Sequence, residues 1–122
     1  DGAHNAAGID ALCGAVHDLL KMRRLHVVMG MVCDKEYEYC VRRMARQADA
    51  FYACTTNAAE RSLGEQTIAA LAEQECSEVY DCRSTEHALE LAFDHASPKD
   101  CILVCGSLFL TGESINTSMS IK

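Results

Sequence analysis

Asp1-Gly2-Ala3-His4-Asn5 places a carboxylate, an unhindered backbone, an imidazole and an amide just ahead of a helical pattern. Two uses suit that set. Helix N-termini favour anions, and an aspartate beyond a strand can accept from ribose hydroxyls, so the turn could face a nucleotide. Alternatively Asn5 caps the helix and Asp1 is simply solvated. Residue types alone leave both open. A second group, "GMVCDKE" at 30–36, is a glycine at a strand end followed by Asp34-Lys35, with Asp34 placed to cap the next helix. A third, "VCGSLFLTGE" at 104–113, holds Gly106, Ser107 and Gly112, with the glycines too far apart for G-x-G-x-x-G. No G-x-x-x-x-G-K-[ST] phosphate loop and no G-x-S-x-G elbow occurs, and Ser107 has no triad order around it. His17, His26, His87 and His95 fall inside helical or strand patterns without spaced partners, and read as surface or core histidines.

The eight cysteines, at 13, 33, 40, 54, 76, 82, 101 and 105, include no C-x-x-C pair and no His spacing typical of zinc. Several lie in apolar runs, as in "FYAC" and "CILVC", where a reduced thiol acts as a small hydrophobe. They read as free buried thiols of a reducing compartment, with Cys82 the candidate for an exposed one.

These groups need a scaffold, and 122 residues are enough for one domain with a core of its own. The hydrophobic fraction of 49% and net charge of -7 suit a globular protein, and no basic run exceeds Arg23-Arg24 or Arg42-Arg43. That argues against a nucleic-acid partner. No apolar run approaches the ~18 residues of a membrane span, so a cytoplasmic protein without a membrane partner is expected.

Helical and strand periods alternate along the chain. Leu12, Ala15, Val16 and Leu19 recur at helical spacing after Asn5, and 25–32 reads as a buried strand. Tyr37, Cys40, Val41, Met44, Ala45 and Ala48 form an apolar stripe, followed by a strand at 50–55 and a helix at 64–75. A short strand "SEVYD", a helix over 85–96 that Ser84 can cap, and a strand at 101–106 complete the pattern. Strands separated by helices imply right-handed crossovers and a mainly parallel sheet. The fold class is therefore α/β, a three-layer Rossmann-like sandwich with about four strands and four helices. Ligands of such sheets sit beyond the carboxyl ends of the strands, so the loops opening at Gly30, Thr55, Asp81 and Gly106 are the candidate edge, joined by residues 1–5. The domain is expected to run over 1–113, with a loosely held polar tail at 114–122. A helix entered at Asn5 ought to be fed by a strand, so the sheet is expected to lack a strand upstream of Asp1. The open edge would favour self-association.

The three motifs in this order, "DGAHN", "GMVCDKE" and "DCILVCGSLFLTGE", resemble the C-terminal domain of folylpolyglutamate synthases and dihydrofolate synthases, within the Mur ligase superfamily. That family reads "DGAHNP", "G…DKD" and "GSLYL-GEV" at similar spacing. Here Ala6 stands for the proline, Glu36 for the second aspartate and Phe109 for the tyrosine. The resemblance implies an ATP-dependent ligase using Mg2+, which activates a folate carboxylate as an acyl phosphate and joins it to L-glutamate. It implies that Asp1, His4 and Asn5 face the nucleotide, and that Ser107, Asp34 and Lys35 face the glutamate. The partner implied is an N-terminal ATPase domain carrying the phosphate loop, metal sites and folate pocket, without which this chain would be inactive. A Mur-type ligase of cell-wall precursors and a non-catalytic α/β binding module are the alternatives.

Overall fold

The computed structural model describes residues 5–19, 23–31, 36–55, 64–106 and 118–121. In chain order the elements are α1 (Ala6–Leu19), β1 (Leu25–Gly30), α2 (Tyr37–Gln47), β2 (Ala50–Ala53), α3 (Glu65–Ala72), β3 (Val79–Asp81), α4 (Thr85–His95), β4 (Cys101–Gly106) and β5 (Ser118–Ile121). The sheet order is β3-β2-β1-β4-β5, with the first four strands parallel and β5 antiparallel to β4. The chain winds outward from β1 through β2 to β3, then crosses back to lay β4 on the other side of β1. Right-handed crossovers turned in opposite directions must place their helices on opposite faces, and they do.

The period of two along each strand divides the core accordingly. Leu25, Val27 and Met29 of β1, with Phe51, Leu103 and Cys105, are buried against Ile9, Cys13 and Val16 of α1 and against α2 and α3. Val28, Tyr52, Cys54, Ile102 and Val104 point the other way, onto Ala88, Ala92 and Ala96 of α4 and its end. Every residue of β1 and β4 is buried, as expected for central parallel strands covered on both sides. The three-layer α/β sandwich is thus the observed architecture.

Several details correct the sequence reading. Polarity predicts a loose tail, yet Ser118–Ile121 pair with Cys101–Val104. Backbone groups along β4 need partners whatever the side chains of β5 are. The buried stripe of α1 is Ile9, Cys13 and Val16, while Ala15 is exposed and Leu12 only half-buried. Cys82, expected to be exposed, is fully buried beneath α4. The seven described cysteines are all free and buried, and Cys33 lies outside the described residues. The N-cap position of α2 is held by Glu36, not Asp34. Among the described residues no helix is long and apolar enough to cross a membrane.

Candidate functional site

The switch in winding order falls between β1 and β4, the two parallel strands that pair in register from Leu25–Cys101 to Gly30–Gly106. Each ends on a glycine. Gly106 has φ +92, and a Cβ there would sit 2.3 Å from the Gly30 carbonyl oxygen and within 3.3 Å of the Met29 and Met31 side chains. Only glycine fits, so the carboxyl ends of the two central strands meet as close-packed backbone, a glycine notch in the side-chain layer that Met29 and Met31 fill. In open α/β sheets that is where ligands bind. β3 also ends at the expected position, Asp81, and β2 ends at Ala53, with Cys54 still donating to the Met29 carbonyl.

Helix N-termini gather around the same edge. Asn5 caps α1, its side-chain oxygen accepting the Gly8 N–H at 2.9 Å. The Glu36 carboxylate accepts the Ala6 N–H at 3.0 Å, linking the start of α1 to the start of α2. Asp10 accepts from the Tyr39 hydroxyl at 2.6 Å and pairs with Arg43 at 3.4 Å, which continues the α1–α2 seam. Thr55 donates to Glu65 Oε2 at 2.6 Å. That bond, helped by the backbone at the start of α3, holds the Glu65 carboxyl below its ordinary value. Ser84 caps α4 by accepting the His87 N–H at 3.0 Å.

Of the predicted site residues, Asn5 is the one described, and its side chain is engaged as a helix cap. Asp1, His4, Asp34, Lys35 and Ser107 lie outside the described residues. The sequence named Glu36 only as a departure from the motif and Thr55 only as a loop start, and gave neither its partner. The Ala6–Glu36 contact joins residues thirty apart, and no local pattern announces it. The strand-end glycines were the available signal for the notch. Among the described residues no group of three or more His, Cys, Asp or Glu could hold a metal ion. The described part of the edge therefore offers Mg2+ no fitting donor set.

A second polar assembly lies toward the amino ends of the strands. His26, fully buried, lies 3.0 Å from Asp100 Oδ2 through Nε2 and 3.0 Å from the Tyr52 hydroxyl through Nδ1. Tyr52 in turn lies 3.2 Å from His95 Nδ1, and its ring stacks on Tyr80 at 5.1 Å. Every group is satisfied if His26 donates to Asp100 and accepts from Tyr52, while His95 donates to the Tyr52 oxygen. Burial alone would raise the Asp100 carboxyl, but the Ser97 amide, His26 and Arg24 outweigh it and hold the group below its ordinary value. A cleft of about 370 Å³ lined by Arg23, Arg24, Pro98, Lys99 and Asp100 opens beside it. His26 thus has the carboxylate partner that the sequence did not reveal, 74 residues away. This network packs one face of the sheet at the end opposite the glycine notch.

Comparison with known proteins bears on the affiliation of the fold. The family model described as "Mur ligase, glutamate ligase domain" matches residues 1–108. Among solved structures, Escherichia coli FolC in complex with DHPP and ADP is 25% identical, with a TM-score of 0.78 over 88% of this chain. A bifunctional folylpolyglutamate synthase/dihydrofolate synthase from Yersinia pestis, complexed with AMPPNP and Mn ion, shares the fold at 20% identity and a TM-score of 0.72, again over 88% of this chain. Folylpolyglutamate synthase of Mycobacterium tuberculosis complexed with ADP does so at 23% identity and a TM-score of 0.68, over 77% of this chain. No curated protein matches. This chain spans 25%, 25% and 21% of the lengths of those three structures. A family match over residues 1–108, on a doubly wound α/β sheet, settles the affiliation: the chain belongs to the Mur ligase family, as its glutamate ligase domain.

Proposed function

We propose that this chain is the nucleotide- and glutamate-facing domain of an ATP-dependent ligase that adds L-glutamate to a folate or dihydropteroate carboxylate. In that reaction the carboxylate takes the γ-phosphoryl group of ATP, releasing ADP. The glutamate amine then attacks the acyl phosphate, loses a proton and expels inorganic phosphate. This kind of chemistry depends on positioning and charge stabilisation more than on a covalent protein group. Asp1, His4 and Asn5 are assigned to the nucleotide, with Asp1 toward the ribose. Ser107, Asp34 and Lys35 are assigned to the glutamate. The phosphate loop, Mg2+ ligands and folate pocket are assigned to residues outside this chain, and the chain alone is expected to be inactive. The setting is taken to be cytoplasmic folate metabolism.

The observation that supports the reading is that described residues from all three motif segments stand at one sheet edge. Asn5, Gly30, Glu36 and Gly106 adjoin or belong to those motifs, and each stands at a strand end or helix start on that edge. An amide NMR titration with Mg-ATP tests it. Shifts are expected at residues 1–8, 30–36 and 105–108, with none at the opposite edge around His26 and Asp100. Shifts centred on Arg23, Arg24 and Lys99 would overturn the assignment. A saturable response to L-glutamate at 34, 35 and 107 would support the second half of the reading, and binding of a cell-wall peptide precursor in its place would overturn it.

A further inference from the structure

Glu36 occupies the N-cap position of α2, with φ -114 and ψ 5, but its side chain makes no cap hydrogen bond to its own helix. Its Oε1 instead accepts the N–H of Ala6, the first residue of α1, at 3.0 Å in a partly buried setting. That amide is one of the donors a helix start leaves without an intrahelical partner. Asn5 serves Gly8, three residues on, so the first turn of α1 is capped twice, once from within and once from the next helix. A carboxylate between two helix starts also faces the positive ends of both dipoles.

The contact sets demands on both residues. Position 6 must carry an N–H, which proline lacks. Position 36 must span the gap, and an aspartate is one methylene shorter. Positions 6 and 36 are both places at which the sequence departs from the motif pattern it resembles. One hydrogen bond uses both departures.

We infer that Glu36 is a positioning residue for nucleotide binding, acting through the Ala6 amide to fix the α1 entry turn, and Asn5 with it, against the start of α2. The inference rests on the nucleotide-facing reading of that turn. Glu36→Ala removes the acceptor, and Glu36→Gln keeps one. Ala6→Pro removes the donor.

The test measures two things on the chain and these variants: hydrogen exchange of the Ala6 amide with the Asn5 and Gly8 NMR signals, and Mg-ADP affinity by titration. Glu36→Ala is expected to abolish Ala6 protection, shift the Asn5 and Gly8 signals and weaken Mg-ADP about tenfold, the scale of one charge-assisted hydrogen bond. Glu36→Gln should restore protection and most of the affinity. Combining Ala6→Pro with Glu36→Ala should cost no more than the worse single change, because both delete the same bond. Additive losses, or a failure of Gln to rescue at equal urea stability, would overturn the positioning role. If the unsubstituted chain shows no response to Mg-ADP, the nucleotide reading fails by itself. The clamp is then judged by Glu36→Ala alone, and unmoved Asn5 and Gly8 signals would overturn it as well.

Discussion

Gly106 shows how a single missing side chain shapes the proposed site. Its φ of +92 disfavours any L side chain, and the Gly30 carbonyl 2.3 Å from a built Cβ leaves no room for one. Gly106→Ala must therefore push β4 away from β1 at the end where the two strands define the notch. The expected cost is at least about 1–3 kcal/mol, the usual range for a residue forced into such backbone. Urea unfolding should show a lower midpoint with an unchanged slope. Asp100 makes a different residue-scale prediction. Its carboxyl lies below the ordinary value of 3.8 in the folded chain. The folded state thus binds that proton less readily than the unfolded state does. The associated stability is complete above the unfolded value and disappears as pH falls through the lower folded one. Melting temperature should drop below pH ~4, and Asp100→Asn should flatten that acid limb while lowering stability at neutral pH, since His26 loses its carboxylate acceptor.

At the scale of elements, α4 is alone in covering its face of the sheet among the described helices, and Cys54 and Cys82 lie fully buried beneath it. Burial pushes the Cys54 thiol up to about 12 and Cys82 up to about 11, so neither is a thiolate at neutral pH while α4 is docked. Ser84→Ala removes the α4 cap, worth about 1 kcal/mol, and should speed alkylation of both thiols about fivefold if α4 lifts as a unit. Cys13 and Cys101, on the other face, should keep their slow rates. Mass spectrometry of a timed iodoacetamide reaction reads this directly. The Ser84 cap was legible in the sequence, as were the four parallel strands and the helices between them, because capping and hydrophobic period are local signals. Antiparallel pairing of Ser118–Ile121 was not, since its cause is the unpaired side of β4 and not the tail's own composition. The same holds for the site. Strand-end glycines at 30 and 106 can be read from spacing, whereas the Ala6–Glu36 and His26–Asp100 contacts depend on how distant segments meet.

For the whole molecule, the sheet order decides which strands meet other chains. β1 is enclosed by β2 and β4, and β4 is enclosed by β1 and β5, which leaves the three-residue β3 and the four-residue β5 as the outer strands. Short outer strands offer little backbone for pairing. β4 is different: six buried residues, CILVCG, with high strand propensity and no charge among them. It is shielded on its outer side by pairs with Ser118–Ile121. A chain ending at Thr117 would uncover that side. Its light-scattering mass should rise with concentration more steeply than that of the intact chain, with a thioflavin response if the new contact is strand to strand. The edge-pairing route to association predicts that a lysine at Ile102 suppresses the effect only by unfolding the core, because Ile102 is 1% exposed beneath the α4 layer. A lysine at Met119, on the covering strand, tests the pairing itself. Equal masses for the intact and shortened chains would show that β4's outer side is not where copies of this domain meet.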